Sequence, residues 1–339
     1  MAGLRVGAIS GLVLASTLVL IATMPAGCAP ASGSSSIIEL KLAHVSSPGS
    51  MGSLSADDFA RRVNETLAGR VHMTVFGSGQ LGTDEVLMIK LRLGTVDFAA
   101  PATVISSVVE GFGFWEMPYL VRDRAHLERI EQEIFWPHIE PLAQQRGYKV
   151  LALWEHGFRQ ITNNVRPIVT PEDLRGIKLR TPKGYWRVRL FQGFGAHPSP
   201  MSLGEVFVAI QTGVLDGQEN PLQQIYASRF QEVQRFLSLT NHVYSPVFLT
   251  AGSEKFARLP PDIQATLERL ARETQQYTYG IAGQMDQDIM AELAKSRIQT
   301  NEADRESFLD ASMEIYAQFS KEVPGARDWI ERALALEPD

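Results

Sequence analysis

The pattern that most constrains this chain is a strand–helix alternation followed by a helical end. Residues 38–42 alternate apolar and charged side chains, which predicts a half-buried strand. Strand-like and helical segments then alternate for some two hundred residues, and from Pro260 onward the pattern is almost wholly helical. This order predicts an α/β fold with parallel sheets.

The predicted elements can be placed by residue number. The predicted strands are 38–42, 71–76, 96–100, 149–154, 159–162, 177–180, 197–201, 214–218 and 243–250. The predicted helices before Pro260 are 55–67, 84–93, 124–146, 184–194, 202–212 and 221–230, and the helical end has a break near 298–300. Ser202 and Glu205 have the spacing of a capping box, which predicts a helix start at that point.

Length and charge limit the classes of function. The chain has 339 residues, enough for two hydrophobic cores. Its 32 Lys and Arg residues are outnumbered by 38 Asp and Glu residues. Nucleic acid is therefore not expected as a partner, because phosphate binding requires a basic face.

The N-terminal residues 1–36 are predicted to be an export signal followed by a Ser/Gly linker. No charged residue occurs between Arg5 and Glu39, and residues 9–24 are mostly apolar. Small residues follow, as at a cleavage site, although a permanent membrane anchor is the alternative. The single cysteine, Cys28, excludes an internal disulfide. Residues 26–28 resemble a lipoprotein cleavage box, so Cys28 is either acylated or the signal is cut near residues 29–31. Either way, we expect the mature protein to be periplasmic, either free or membrane-anchored.

The segment from Gly77 to Gly82 reads G-x-G-x-x-G between a predicted strand and a predicted helix. This spacing is typical of dinucleotide-binding loops. The preceding strand is the second rather than the first, and the next acidic residue near a strand, Asp97, follows at too short a distance. We therefore expect a tight glycine turn without a nucleotide.

Catalytic motifs are missing from the sequence. There is no G-x-S-x-G elbow, Walker loop or H-E-x-x-H helix, and the seven histidines are scattered. The sequence therefore predicts neither an enzyme nor a metal or cofactor site.

Six cations and no acid occur within residues 174–190. Arg187 and Arg189 lie about 200° apart on a helix, so they cannot face one ligand, and both are expected at the solvated surface. Arg180 ends a predicted strand, where an open α/β sheet presents ligands, and Arg159 begins another strand. A guanidinium group matches a carboxylate with two parallel hydrogen bonds. The residues alone leave two possibilities for this pair, a small carboxylate ligand or structural ion pairs.

Several segments of the chain carry a family resemblance. GFRQITNNVRPIVTPEDLRGIKLRTP (157–182), GAHPSPMSLGEVFVAIQTGVLDGQENP (195–221) and LSLTNHVYSP (237–246) resemble the solute-binding proteins of tripartite ATP-independent periplasmic (TRAP) transporters, of the dicarboxylate-binding type. GSGQLGTDE (77–85), LGTVDFAAPA (93–102) and WEMPYLVRD (115–123) are similar to the N-terminal half of these proteins. The resemblance covers almost all of the predicted mature chain.

The resemblance implies two α/β domains that close on a ligand by a hinge, with crossing strands and a long connecting C-terminal helix. Domain I would comprise 37–156 and 246–285, and domain II would comprise 157–245 and 286–339. The implied function is capture of a small organic acid and its delivery to a TRAP membrane permease, without a cofactor.

The resemblance also implies site residues. Arg180 would bind the ligand carboxylate, Arg159 and Asn220 would add contacts, and Lys183 would line the site. Leu203 stands where relatives commonly have an aromatic residue that packs on the ligand, which disfavours a sugar-acid subgroup. Asn220 follows Glu219 where cation-dependent members often have Trp, which argues against a bound metal although Gln160 and Glu219 match.

The sequence also allows two other functions. One is a nucleotide-dependent oxidoreductase that uses the Gly77–Gly82 loop. The other is the binding component of a sensor or of an ATP-driven importer. The sequence does not identify the ligand.

Overall fold

The computed structural model describes residues 36–336. Cys28 and the rest of the predicted export segment up to residue 35 lie outside these residues. The strands are β1 (Ile38–Ala43), β2 (Val71–Phe76), β3 (Phe98–Ala99), β4 (Tyr148–Trp154), β5 (Arg159–Asn163), β6 (Lys178–Thr181), β7 (His197–Pro200), β8 (Gly217–Pro221), β9 (Phe236–Leu239), β10 (Val247–Gly252) and β11 (Gln299–Glu302).

The first sheet has five strands in the order β2-β1-β3-β10-β4. Its strand β1 buries Leu40 and Leu42 and exposes Glu39 and Lys41, as the alternating pattern predicted. β1 is parallel to both β2 and β3, whereas β10 runs antiparallel to β3 and β4.

The second sheet has six strands in the order β11-β9-β5-β8-β6-β7. β6 is parallel to β7 and β8, and β9 is parallel to β11, but β5 runs antiparallel to β8 and β9. The prediction of parallel sheets is therefore wrong for β5 and β10. Each of these strands enters directly from the other sheet, without the returning crossover helix that a parallel neighbour requires.

Twelve α-helices surround the two sheets within residues 36–336. They are α1 (Met51–Thr66), α2 (Asp84–Arg92), α3 (Arg124–Ile130), α4 (Glu140–Gln145), α5 (Tyr185–Gly193), α6 (Leu203–Gln211), α7 (Leu222–Ala227), α8 (Ser253–Ala257), α9 (Pro261–Leu293), α10 (Arg305–Ala311), α11 (Met313–Glu322) and α12 (Ala326–Ala335). Short 3₁₀ turns cover Thr103–Ser107 and Glu110–Glu116.

Two helix predictions are corrected in detail. α6 starts where predicted, but its N-cap Ser202 makes no side-chain capping hydrogen bond, so the capping box does not form. The predicted helix 124–146 is divided into α3, a π-helical segment Glu131–Ile139 and α4. Pro137 lies in the π-helical segment, and because proline has no N–H and clashes with the preceding turn, it disrupts regular α-helix.

The long helix α9 has 33 residues and packs against elements of both sheets. It contacts α1 and β4 on the side of the first sheet and α7 on the side of the second. The Trp154 indole donates to the Ala271 carbonyl at 3.1 Å, which attaches β4 to the helix. This helix is the long connecting helix that the resemblance implied.

Polar strands account for the largest errors in the sequence prediction. All five residues of β8, with the sequence GQENP, are buried, although three of them are polar. The sequence prediction placed this strand at 214–218, three residues too early. It relied on the pattern of apolar side chains, and the apolar residues here precede β8. β9 was not predicted, and the expected break near 298–300 is the edge strand β11.

Gly217 starts β8 at a point of close contact with β5. A Cβ at this position would collide with the Thr162 carbonyl oxygen and lie 2.7 Å from Asn163 Cβ. Strand β8 carries Glu219 and Asn220, so this close approach helps to determine where those side chains lie. Only glycine fits here without a shift of the sheet.

We predict that Gly217→Ala lowers the free energy of unfolding by about 1–3 kcal/mol, as overpacking of a tight contact does. Gly280→Ala is the matched control, because Gly280 lies in α9 with nothing within 4 Å of the added methyl group. The free energy of unfolding of Gly280→Ala should rise by about 0.5–1 kcal/mol, because alanine is favoured over glycine inside a helix. Urea unfolding of both variants checks the pair, and equal shifts in one direction would contradict the packing argument.

Candidate functional site

Two adjoining cavities lie between the sheets, near the carboxyl ends of β2 and β6. The larger has a volume of about 250 Å³ and is lined by the turn after β2, the start of α2, the end of β6 and the start of α6. The smaller, of about 50 Å³, is lined in part by Arg159 and Asn220. Both share Asp84, Arg180 and Leu203. Their size is below that of typical drug-sized pockets, so they suit a small ligand.

Arg180 lies on β6 and lines both cavities, although its side chain is almost wholly buried. Its Nε and Nη2 donate to the Met201 carbonyl at 2.9 and 2.6 Å. A guanidinium group has five N–H donors, so three remain, and two of these lie side by side on the Nη1–Nη2 edge. Burial lowers the pKa of Arg180 to about 10, which leaves the group charged at neutral pH. The arrangement offers a carboxylate two parallel donors.

Arg159, on β5, is held by the neighbouring strand β8. Its guanidinium donates to both carboxylate oxygens of Glu219, with 3.0 Å between Nη2 and Oε1. Nη2 also lies 3.1 Å from the Asn220 side-chain oxygen. Of the two possibilities that the residues alone left open, structural ion pairing therefore applies to Arg159. Only its Nη1 is left without an acceptor among the described residues.

Arg187 is buried, so the prediction of a surface position is wrong. Its Nη1 donates to Glu219 at 2.8 Å, and its backbone N–H donates to Glu116 at 2.9 Å. The helix geometry showed correctly that Arg187 and Arg189 point in different directions. It could not show that one direction leads to two buried carboxylates contributed by distant segments.

Glu219 is the acceptor that these groups share. Besides Arg159 and Arg187, the His242 ring lies 3.1 Å from its Oε2. Burial alone would raise the pKa of Glu219, but Arg159 and Arg187 lower it far below its ordinary value. The carboxylate is thus ionised, and two buried cations share it as their partner.

The pKa of Glu116 is shifted in the opposite direction to that of Glu219. Burial raises its pKa to about 7, against the opposing effects of Arg187 and of the hydrogen bond from Ser106. This cluster of buried charges, Arg159, Arg187, Glu116 and Glu219, lies behind the cavities.

Lys183 and Leu203 lie at the larger cavity. The Lys183 ammonium group is 3.5 Å from a Glu85 carboxylate oxygen across the cavity, and its side chain is 45% exposed. Glu85 therefore offsets its charge at the rim. Leu203, at the start of α6, presents an apolar side chain to both cavities. All five residues expected to bind ligand thus line one cavity or the other, and their contacts with ligand stay predictions.

Asp84 is a cavity residue that the sequence reasoning missed. It begins α2, and its Oδ1 is buried without a hydrogen-bond partner among the described residues. Burial raises the pKa of Asp84 to about 7, and the nearby Arg180 limits the rise. Its position after a strand-to-helix turn is where open α/β sheets present ligand groups, and that signal could have identified it.

The Gly77–Gly82 segment is a tight turn, as predicted. Gln80 N donates to the Gly77 carbonyl and Gly82 N to the Gly79 carbonyl, at 3.0 and 2.9 Å. Gly79 and Gly82 have positive φ values of 73° and 118°. The turn also lines the larger cavity, so it contributes to the site.

The remaining cations of 174–190 are exposed or near the surface. Arg175 and Lys178 are exposed, and Arg189 pairs with Glu322 at 2.5 Å. Tyr185 is half exposed, whereas Trp186 is buried against Phe319. Neither aromatic residue lines the two cavities.

The residues that could recruit a cation are already engaged. The oxygens of Glu219 accept from arginine and histidine donors, and the Gln160 side chain is paired with Asn241 at 2.6 and 2.9 Å. Residues 36–336 contain no cluster of three or more His, Cys, Asp or Glu side chains arranged to hold a metal ion. Over the same range, no helix has the length and hydropathy needed to cross a membrane.

Comparison with known families identifies the family of the chain. The family described as bacterial extracellular solute-binding protein, family 7, matches residues 42–322. The chain belongs to this family. The TRAP resemblance seen in the sequence is thereby confirmed.

Relatives of this solute-binding protein have related functions and the same fold. It is 30% identical to the 2,3-diketo-L-gulonate-binding periplasmic protein YiaO of Escherichia coli (strain K12) over 82% of this chain and 86% of that protein. A TRAP periplasmic solute-binding protein from Polaromonas sp. JS666, bound to D-erythronate, is 29% identical, has a TM-score of 0.84, and is matched over 89% of this chain and 100% of that chain. A succinate-bound one from Sulfurospirillum deleyianum is 29% identical, has a TM-score of 0.83, and is matched over 88% and 99%. The two-domain α/β fold class is therefore confirmed.

We predict that Glu219→Gln lowers the free energy of unfolding of this solute-binding protein by about 3–5 kcal/mol, because it leaves two buried cations without their counter-charge. Glu322→Gln makes the same chemical change in a largely exposed pair with Arg189. That control should cost no more than about 1 kcal/mol. Chemical denaturation of both variants measures the difference, and similar losses would show that burial is not decisive.

We also predict that the stability difference between wild type and Glu219→Gln depends on pH. Because the folded-state pKa of Glu219 lies far below the ordinary 4.5, its stabilising contribution is present above about pH 4.5 and is lost as pH falls. The stability gap between wild type and Glu219→Gln should therefore narrow by about 1.4 kcal/mol per pH unit below 4.5. Denaturation at pH 7, 4.5 and 3.5 checks this, and a constant gap would contradict it.

Proposed function

We propose that this protein captures a small organic acid outside the cytoplasmic membrane and delivers it to a TRAP-type permease for uptake. One observation carries the proposal. Arg180 is buried at two small cavities between the sheets and keeps an edge of unused N–H donors. A buried, charged guanidinium with free paired donors is suited to a carboxylate.

The known ligands of similar proteins support an acidic ligand. D-erythronate and succinate, bound in two of the structures above, each carry a carboxylate. A cavity of about 250 Å³ suits ligands of this small size. We infer that Arg180 anchors the carboxylate of the ligand.

The other cavity residues would assist this anchor. Arg159 has Nη1 to offer, and Asn220 has one amide hydrogen beyond the bond that Nδ2 makes to Gln218 at 2.5 Å. Lys183 would attract an anion at the rim, and Leu203 would contact the carbon chain of the ligand.

We propose that the two sheets mark the domains that close on the ligand. Domain I would comprise 37–156 and 246–285, and domain II 157–245 and 286–339. The ion pair between Lys183 and Glu85 spans the larger cavity and would form on closure. The crossing strands β5 and β10 and the long helix α9 would carry the hinge.

Location and partners follow from the family and the leader sequence. We infer export directed by residues 1–36, with Cys28 as the site of lipidation if the leader is of the lipoprotein type. The partners would be the membrane subunits of the permease. The function is binding and delivery, with no enzymatic step and no cofactor.

The other functions considered receive less support. The family match provides none for a nicotinamide-dependent oxidoreductase at Gly77–Gly82. A sensor or an ATP-driven importer would have different partner proteins. Neighbouring genes for one large and one small membrane subunit, without an ATPase, would favour the TRAP permease.

The experiment starts with a thermal-shift screen of small organic acids, since a ligand that binds only the folded state raises its stability. For any acid found, we predict that Arg180→Lys weakens binding about ten- to a hundred-fold, because lysine lacks the planar fork. Arg180→Ala should weaken it further, since the carboxylate would be buried without a counter-charge. Isothermal titration calorimetry measures each dissociation constant.

Arg189→Lys is the matched control for this test. Arg189 lies nine residues after Arg180 and forms a partly exposed ion pair with Glu322. Its replacement should therefore leave the affinity for the acid almost unchanged. Circular dichroism should show that all variants are folded. An Arg180→Lys variant that binds like wild type would mean that another group holds the carboxylate.

A further inference from the structure

Against the expectation drawn from Leu203, we propose that the site takes a hydroxylated monocarboxylate in preference to a dicarboxylate of the same length, because Asp84 shares the cavity with Arg180. This inference rests on the proposed function and deepens it by naming the class of acid. It makes Asp84 the residue that determines specificity.

The balance of charge at the cavities is the first argument. Three cations line them, namely Arg159, Arg180 and Lys183. Arg159 shares Glu219 with Arg187, and Glu85 pairs with Lys183. Among the described residues that line the cavities, Arg180 is therefore the one cation without a carboxylate partner. Arg180 thus offers a ligand carboxylate a positive charge that forms no salt bridge within residues 36–336, whereas Arg159 and Lys183 already face carboxylates.

Asp84 adds a negative charge near that cation, and the two groups attract each other without forming a salt bridge. Its Oδ1 is shielded from solvent and accepts no hydrogen bond from any residue within 36–336. A second ligand carboxylate held by the same cavities would lie near this group. Like charges at short range in a poorly solvated site repel strongly. The cavity is thus unfavourable for a dicarboxylate.

The same carboxylate is suited to hydroxyl groups. A carboxylate has only acceptor capacity, and Oδ1 of Asp84 has no donor among the residues that the structure describes. A ligand hydroxyl can donate to it, and a hydrogen bond to a charged acceptor is stronger than one between neutral groups. An unhydroxylated acid would leave Asp84 buried without a donor.

The apolar wall limits where the hydroxyl groups can bind. Val45, Val104 and Leu203 line the smaller cavity together with Asp84 and Arg180. They provide contacts for a carbon chain and no donor or acceptor from their side chains. The polar ends of the ligand are therefore directed to Arg180 and to Asp84.

The test uses four-carbon acids that differ only in these features. D-erythronate has one carboxylate and three hydroxyl groups, butyrate has one carboxylate, and succinate has two. Titrations at pH 8 keep Asp84 ionised, because burial, opposed by Arg180, gives it a pKa of about 7. We expect erythronate to bind at least about ten-fold more tightly than either of the other acids. Galactonate and galactarate, which have six carbons and one and two carboxylates respectively, provide the same comparison if the site holds a longer acid.

Asp84→Asn should change the selectivity rather than simply weaken binding. The amide removes the repulsion of a second carboxylate and weakens the acceptor for hydroxyl groups. We expect the ratio of the succinate to the erythronate dissociation constant to fall at least about ten-fold. Asp57→Asn, an exposed change on α1, should leave this ratio unaltered. A purely structural role of Asp84 would shift both affinities together.

The outcomes separate the two proposals. If a dicarboxylate binds as tightly as its hydroxylated monocarboxylate counterpart, or if Asp84→Asn leaves the ratio unchanged, this inference is overturned while the proposed function stands. If none of the acids binds and the wider organic-acid screen is also negative, the proposed function fails, and the inference fails with it.

Discussion

The buried carboxylate of Glu219 is the group on which the candidate site depends. It accepts hydrogen bonds from Arg159 and Arg187 and lies within 3.1 Å of the His242 ring. Two guanidinium groups could not remain buried without a counter-charge, because the cost of removing them from water is large. Glu219 therefore allows β5, β8 and α5 to meet behind the cavities.

Arg180 differs from Arg159 and Arg187 because its guanidinium group is not paired with Glu219. All three guanidinium groups are buried within one region of the molecule, yet only Arg180 is bound to a backbone carbonyl rather than to a carboxylate. A neutral acceptor orients a guanidinium without offsetting its charge. The fold thus presents one buried positive charge to a small cavity, and Asp84 beside it sets what else the cavity accepts.

Much of the fold follows from local patterns, and the failures have a physical cause. β2 and β5 and most helix boundaries agree with the sequence prediction to within a few residues. β8 was misplaced because its residues are polar and buried, which hydrophobic periodicity does not register. The antiparallel strands β5 and β10 were unforeseen because strand direction depends on which sheet the chain joins next. For the same reason, Arg187 was taken for a surface residue, since its partners Glu116 and Glu219 come from other segments.

The sequence by itself indicated the fold class, because the alternation of strands and helices is a local property of the chain. Its resemblance to TRAP solute-binding proteins indicated the family and five of the residues that line the cavities. The tertiary structure decided how the charges are divided. It paired Arg159 and Arg187 with Glu219 and paired Lys183 with Glu85. Within residues 36–336, it left Arg180 and Asp84 at the cavity without a salt bridge. Such pairing depends on distances between residues far apart in the chain. A linear sequence does not contain those distances until the strands and helices have packed.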